Sequence, residues 1–184
     1  MDRHLASATD SATDSAADRA AKGAEGGGSG LVVEGFSPAL ASAFKRINEE
    51  WISEYFVLEA ADRKSLDDPV SNIIGPGGAI IFVRDSASQE VLGTCALVNH
   101  GGGLGELAKM GVIRAARGRG AGLLLVLGII QRARTMGFQR LFLETNSVLL
   151  PALKIYQQVG FVTLPPPRAS DYQRADVYMA LALD

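Results

Sequence analysis

A single cysteine among 184 residues leaves no partner for an intramolecular disulfide and no thiolate cluster for a metal. Cys95 sits inside the apolar run 91–98, the place of a small buried hydrophobe rather than of a nucleophile. Histidine is equally scarce. His4 and His100 are too far apart to read as a metal pair, and His100 adjoins Gly101-Gly102-Gly103, which reads as a hairpin loop. Neither histidine receives a role from the sequence, and no metal is expected. Net charge is only −2, which points to no general nucleic-acid or membrane partner. The apolar helical run 123–130 is far short of the roughly 20 residues that a membrane span requires, so it reads as a buried helix. A soluble, cytoplasmic protein is the expectation these absences leave.

Residues 1–30 are of a different material. Ser7-Ala8-Thr9-Asp10, Ser11-Ala12-Thr13-Asp14 and Ser15-Ala16-Ala17-Asp18 form a near-repeat, and Gly26-Gly27-Gly28-Ser29-Gly30 follows. Such a composition cannot bury enough apolar surface to offset ordering entropy, so a disordered tail and a flexible linker are expected. The segment has no apolar core of a secretory signal, and its aspartates argue against a transit peptide. Residues 31–184 suit one domain, with 47% hydrophobic residues across the chain to supply its core.

What is present is a glycine-rich turn, Arg117-Gly118-Arg119-Gly120-Ala121-Gly122, after an apolar strand-like run over 107–113 and before the helical run. A helix N-terminus preceded by glycines is suited to hold phosphate oxygens. Its first N–H groups are unpaired, its dipole favours negative charge, and the glycines permit close approach. Arg117 and Arg119 add charge-assisted donors. The Gly-Lys-Ser/Thr ending of a P-loop is missing. A dinucleotide turn wants its third glycine one residue later than Gly122, although Glu144 stands at about the spacing of its acidic partner. Between Glu106 and Arg140 there are seven basic residues and one acidic one, a local balance suited to a small polyanion.

The spacing Arg-x-x-Gly-x-Gly, met by Arg117, Gly120 and Gly122 after a strand ending in Val112, resembles the acetyl-coenzyme A turn of the GNAT superfamily of N-acetyltransferases. Two later segments extend the resemblance. Lys154-Ile155-Tyr156-Gln157-Gln158-Val159-Gly160-Phe161 is similar to the family's signature of a tyrosine followed by glycine-phenylalanine, and Asp176-Val177-Tyr178-Met179-Ala180-Leu181-Ala182-Leu183 resembles its terminal strand. The implied fold is α/β (α+β), one domain over 31–184 with a mixed, mostly antiparallel sheet of six to seven strands and about four helices.

The residue pattern places strands at 31–36, 79–84, 91–99, 106–113 and 140–146, with further strands from Phe161 and at 176–183. Helices are expected from Ser37-Pro38, as cap and first residue, to about 56, and over 59–67 and 120–136. Another is expected from a Ser147 cap to Gly160.

The resemblance also implies site residues. Backbone groups of Met110 and Val112 would line the pantetheine arm as an added strand does, with the Met110 N–H donating to the thioester oxygen. Arg117, Gly118, Arg119, Gly120, Ala121 and Gly122 would hold the pyrophosphate, and Asn146 would reach the pantetheine amides or simply end its strand. Glu106 stands eleven residues before Arg117, where histone-type members carry their base. A lysine-like amine is neutral only about once in 2,500 molecules at pH 7, so it gains much from one. Strand alternation sets Glu106, Ala108 and Met110 on one face. A water relay competes with Glu106. Tyr156 takes the general-acid position, and core packing is its competing role.

Acceptor residues are expected from the first two helices and the loop 165–174, giving Trp51, Glu54, Tyr55, Phe56 and Tyr172. Trp51 and Tyr55 also stand at the i, i+4 spacing of a helix core face. Partners are thus acetyl-coenzyme A and an amine of a small molecule, amino acid or peptide, with monomer or homodimer open. A module that binds acyl-coenzyme A without turnover is the alternative.

Overall fold

A computed structural model describes residues 30–183, and the low-complexity segment expected over 1–30 therefore lies almost wholly outside the described residues. Seven strands run β1 (Leu31–Gly35), β2 (Ala79–Asp85), β3 (Val91–Asn99), β4 (Leu104–Val112), β5 (Arg140–Thr145), β6 (Val162–Leu164) and β7 (Val177–Ala182). They form one sheet in the order β1-β2-β3-β4-β5-β7-β6. Only β4 and β5 run parallel, and every other pairing is antiparallel. Four α-helices are described: α1 (Ala41–Tyr55), α2 (Ala60–Asp67), α3 (Ala121–Thr135) and α4 (Leu150–Gln158). The fold expected from the sequence is the fold observed.

The helices divide between the two sheet faces because each has one apolar stripe to bury. On α1, Phe44, Ile47 and Ile52 are buried. Phe44 and Ile52 join Leu66 of α2 in a core with Ile80, Phe82 and Ala96. On the opposite face Leu125, Val126, Ile129 and Ile130 of α3 and Tyr156 of α4 meet Ile81, Val83, Leu97, Leu107 and Leu141. Alternate residues of β2 and β3 thus supply both cores. Burial of β2 from Ala79 to Val83 follows.

Two helix starts differ from expectation. Ser37 makes no side-chain cap; Pro38–Leu40 forms a 3-10 turn first, and α1 begins at Ala41. Ser147 does not cap α4 either. The helix begins at Leu150 behind Leu149, while Ser147 donates its hydroxyl to Asp176 at 2.6 Å and its N–H to the same carboxylate at 2.7 Å. A carboxylate from the distant loop before β7 outcompetes the local helix end. A π-helical turn at Val70–Ile74, not foreseen, leads into β2.

Two features of β4 create the site. Its pairing with β5 covers only Leu104, Gly105 and Glu106 opposite Arg140, Leu141 and Phe142. Beyond Glu106 the strands part, and the far side of β4 faces a gap. β4 also carries a bulge. Its register against β3 shifts so that Lys109 and Met110 together oppose Cys95, and Lys109 has φ +50°, in the left-handed region.

The bulge overturns one expectation. Glu106, Ala108 and Met110 do not share a face. Glu106 pairs with Phe142 and faces the α1 and α2 side, whereas Met110 packs into the core under α3 and α4. The extra residue resets the alternation, so two consecutive residues, Ala108 and Lys109, point toward α1 and α2.

Candidate active site

The gap between β4 and β5 opens into a cleft of about 440 Å³. It collects residues expected from the sequence: Glu106, Met110, Val112, Arg117, Gly118, Gly122, Asn146, Tyr156, Trp51, Tyr55, Phe56 and Tyr172. Glu54, Arg119, Gly120 and Ala121 are not on its wall; Glu54, Arg119 and Ala121 each adjoin a residue that is, and Gly120 lies between two that are not.

At one end stands the glycine turn. Gly120 has φ +87° and forms the N-cap of α3 in a left-handed conformation. Only glycine adopts this freely, and a Cβ placed there would meet no atom within 4 Å. The turn is therefore open above the helix N-terminus, which a polyanion needs. Gly111 answers a different demand. A Cβ there would lie 2.4 Å from Cδ1 of Trp51, so its absence lets the indole lie flat on β4. Trp51 is fixed by its Nε1–H, which donates to Asn48 Oδ1 at 3.0 Å.

The arginines of the turn have carboxylate partners. Arg117 donates to both oxygens of Glu54, at 3.1 and 2.7 Å. Arg119 donates to Asp85 at 2.7 Å. The Arg117 hydrogen bond holds the Glu54 carboxyl down at about 2, and the Arg119 bond does the same for Asp85. Glu54 is thus a partner of Arg117 at the end of α1, a pairing 63 residues apart that no local pattern signals.

Tyr156 stands on the wall formed by α4. Its hydroxyl is 3.5 Å from Sδ of Met110, and its ring meets Phe161 edge-on at 5.9 Å between centroids. Burial pushes its phenol well above the ordinary range, so it stays protonated through neutral pH. Asn146 has both ends of its amide engaged, donating to the Arg174 carbonyl at 2.5 Å and accepting from the Val148 N–H at 2.9 Å. It ties the end of β5 to the loop before β7.

On the opposite side of β4, Glu106 accepts or shares a hydrogen bond with Nε2 of His100 at 2.8 Å. Its side chain is 14% exposed and that of His100 30%. The Glu106 hydrogen bond raises the His100 pKa above its ordinary value. Reasoning from the sequence left His100 without a role, yet the hairpin signal was sufficient to find it. Glu106 pairs with Val98 across the hairpin, and His100, two residues on and just past the end of β3, is its diagonal neighbour.

A buried ionic cluster, also unforeseen, closes the end of the cleft beside Tyr172. Asp62 of α2 is fully buried. It accepts from Arg174 at 2.7 Å twice, from Lys109 at 3.1 Å and from the Glu59 N–H at 3.0 Å. Burial pushes the Asp62 pKa up, but Arg174, Lys109 and the Glu59 N–H outweigh it and the net shift is downward. Lys109 also donates to the Tyr172 hydroxyl at 2.6 Å, and its ammonium lies 4.4 Å from the centre of that ring. Glu59 accepts from Arg174 at 3.0 Å. The cluster pins the loop bearing Tyr172 against α2 and the bulge.

Among the described residues no group of histidine, cysteine and carboxylate side chains could hold a metal, and no helix is long and apolar enough to cross a membrane.

The model of the acetyltransferase (GNAT) family matches residues 43–161. An uncharacterized N-acetyltransferase of Schizosaccharomyces pombe is 32% identical over 127 residues, which is 67% of this chain and 77% of that protein. Among solved structures, a GNAT-family acetyltransferase from Staphylococcus aureus matches with a TM-score of 0.75 at 16% identity, covering 84% of this chain and 99% of its own. The protein yncA of Salmonella typhimurium, solved with its cofactor acetyl-CoA, matches with a TM-score of 0.67 at 17% identity, over 84% and 95% of the two chains.

Proposed function

Since the chain belongs to the GNAT acetyltransferase family, we propose that it transfers the acetyl group of acetyl-coenzyme A directly to a primary amine within a ternary complex. The observation that carries this reading is the parting of β4 and β5 beside the open glycine turn. One strand edge is left with free backbone groups, in line with a helix N-terminus. Acetyl-coenzyme A supplies the activated acyl group. The groups that would hold it are the N–H groups of Gly118, Gly120, Ala121 and Gly122, for the pyrophosphate, since that of Arg119 is donated to the Ala116 carbonyl at 3.3 Å. The backbone of Met110 and Val112 would hold the arm. Arg117 and Arg119 reach phosphate only by exchanging their carboxylate partners, so the backbone of the turn is the principal anion ligand.

The chemistry then divides across the sheet. Glu106 on the α1 and α2 side takes a proton from the incoming ammonium, because only the neutral amine has the lone pair to attack. Tyr156 on the α4 side keeps its proton at neutral pH and gives it up where the thiolate leaves. Base and acid stand on opposite faces of β4, so the amine approaches from one side and the thiol departs on the other. The Met110 N–H, at the second position of the bulge, donates to the oxygen on which negative charge grows, a contribution of about 3–4 kcal/mol for one such donor. Trp51, Tyr55 and Tyr172 shape the acceptor end, and Glu54 holds Arg117 beside it.

The test is thiol release from acetyl-coenzyme A over a panel of alkyl amines, amino-acid amides and peptide α-amines. The Glu106→Gln variant is run beside the wild type. Turnover should fall about 10²–10⁴-fold at neutral pH with coenzyme affinity kept. The loss should shrink at high pH, where the amine deprotonates unaided. Near wild-type turnover from pH 6 to 9 would assign the proton to water instead. Calorimetric binding of acetyl-coenzyme A without thiol release on any amine would make the chain a binding module.

A further inference from the structure

Glu106 is only 14% exposed and keeps one polar side-chain partner among the described hydrogen bonds, the Nε2 of His100 at 2.8 Å. A base that takes a proton in a recessed position must pass it on before the next turnover. The imidazole is the group placed to receive it. It sits at the mouth of the β3–β4 hairpin with its side chain 30% exposed. Its backbone N–H is held by the Leu104 carbonyl at 3.0 Å, and its ring stands edge-on to Phe142 at 5.0 Å between centroids. The ring is therefore fixed on one side by an aromatic wall, directed at the carboxylate through one nitrogen, and open to water elsewhere.

We propose that His100 is a positioning residue for Glu106 and the outlet for the proton that Glu106 removes from the amine. This rests on the reading of Glu106 as the base. The proton balance is closed. The amine N–H bond breaks and its proton joins a Glu106 oxygen. That carboxylic proton passes to Nε2 of neutral His100, and Nδ1 releases its own proton to water. The ring is then neutral with its proton on Nε2, donated to the restored Glu106 carboxylate, and exchange through water moves that proton to Nδ1 when Glu106 next takes one from the amine. At rest the neutral ring donates Nε2–H to the carboxylate, and the Nδ1 tautomer, with Nε2 as acceptor, belongs to the step in which the carboxyl is protonated.

The charges around His100 come from three elements. Glu106 faces it from β4 and Glu144 from β5, both favouring the imidazolium, and Arg168 of the loop before β7 opposes them. Tyr172 of the same loop is close to Glu106. The balance favours the charged ring and shifts its titration upward. Below that titration an imidazolium holds the Glu106 carboxylate in an ion pair and the outlet is closed. The imidazole therefore sets the acid limb of the rate profile.

The chain has two histidines, His4 and His100, so the full-length protein labelled with 13C-histidine yields two ring titrations, and His100→Gln assigns them. In Glu106→Gln the His100 midpoint should fall to or below the ordinary value near 6.5. An unmoved midpoint would overturn the pairing without any knowledge of the acceptor. In the thiol-release assay with the fastest amine of the panel, His100→Gln keeps a hydrogen-bond donor to the carboxylate but cannot carry a proton. It should lower kcat about tenfold or more, leave the KM for acetyl-coenzyme A unchanged and move the acid limb to lower pH. His100→Ala should regain rate with added imidazole. A full rate and unmoved acid limb in His100→Gln, beside a crippled Glu106→Gln, would refute the outlet alone. Full activity of Glu106→Gln would remove the base and the outlet together.

Discussion

Replacing Asp62 with alanine takes a fully buried carboxylate from the centre of the cluster that holds the Tyr172 end of the cleft together. Lys109 would be left with a side chain 4% exposed and no anion within reach, and Arg174, 14% exposed, would retain only Glu59. Breaking a buried pair by removing one member costs about 3–5 kcal/mol, since the charge left behind is neither solvated nor paired. For a domain of this size each kcal/mol lowers Tm by about 2–4 °C, so the fall is about 6–20 °C. Asp62→Asn keeps the volume and an acceptor for the Glu59 N–H and should lose less. The pH dependence follows from the downward shift of the Asp62 pKa. A depressed carboxylate stabilises above its unfolded value near 3.9 and loses that contribution as pH falls through the folded value. The Tm gap between wild type and Asp62→Ala should therefore be constant from neutral pH to about 4 and close below it. Coenzyme affinity should hold, because the glycine turn is remote, while acceptor KM rises as Tyr172 loses its support. Thermal unfolding followed by circular dichroism at pH 7 and pH 3 is the assay. A drop under about 3 °C at pH 7 would mean that the cluster does not anchor the loop.

Two further outcomes test the coenzyme end. Gly120→Glu forces a side chain into a left-handed position at a cost of about 1–2 kcal/mol and sets like charge in the phosphate space. Binding of acetyl-coenzyme A by calorimetry should be lost while the circular dichroism spectrum persists, and unchanged affinity would sink the coenzyme assignment. Tyr156→Phe preserves the ring against Phe161 and removes a hydroxyl whose near neighbour is a thioether. Turnover should fall with little change in Tm, and an intact rate in a less stable protein would return the residue to the core.

The strands and helices could be read because each apolar run has the period its neighbours demand. Phe44, Ile47 and Ile52 mark α1, and the unbroken run from Ala79 to Val83 marks a strand buried on both faces. The glycine turn was legible for the same kind of reason, since a positive φ at Gly120 is written in the residue itself. Lys109 carries no such mark. A lysine with φ +50° is held there by Asp62 and Tyr172, 47 and 63 residues away, and strict alternation then put Glu106 and Met110 on the wrong common face. Ser147 looked like a helix cap because local chemistry allowed it, and Asp176, 29 residues on, offered a better partner. Local pattern decides where elements lie. Long-range ionic partners decide which way several site residues point.

The parted strands have a consequence for solubility. From Leu107 to Val112, β4 is an edge in the middle of a sheet, and sheet edges invite any extended chain to add itself. A misfolded copy or a stray peptide would compete for the same row of backbone groups as a ligand. The guard is thickness. Trp51 closes one side over Gly111, while Tyr156 and Met110 close the other, so the slot admits a slender arm but not a strand with side chains on both faces. An alanine at 111 would tilt the indole away and widen the slot, and the first symptom would be aggregation during expression.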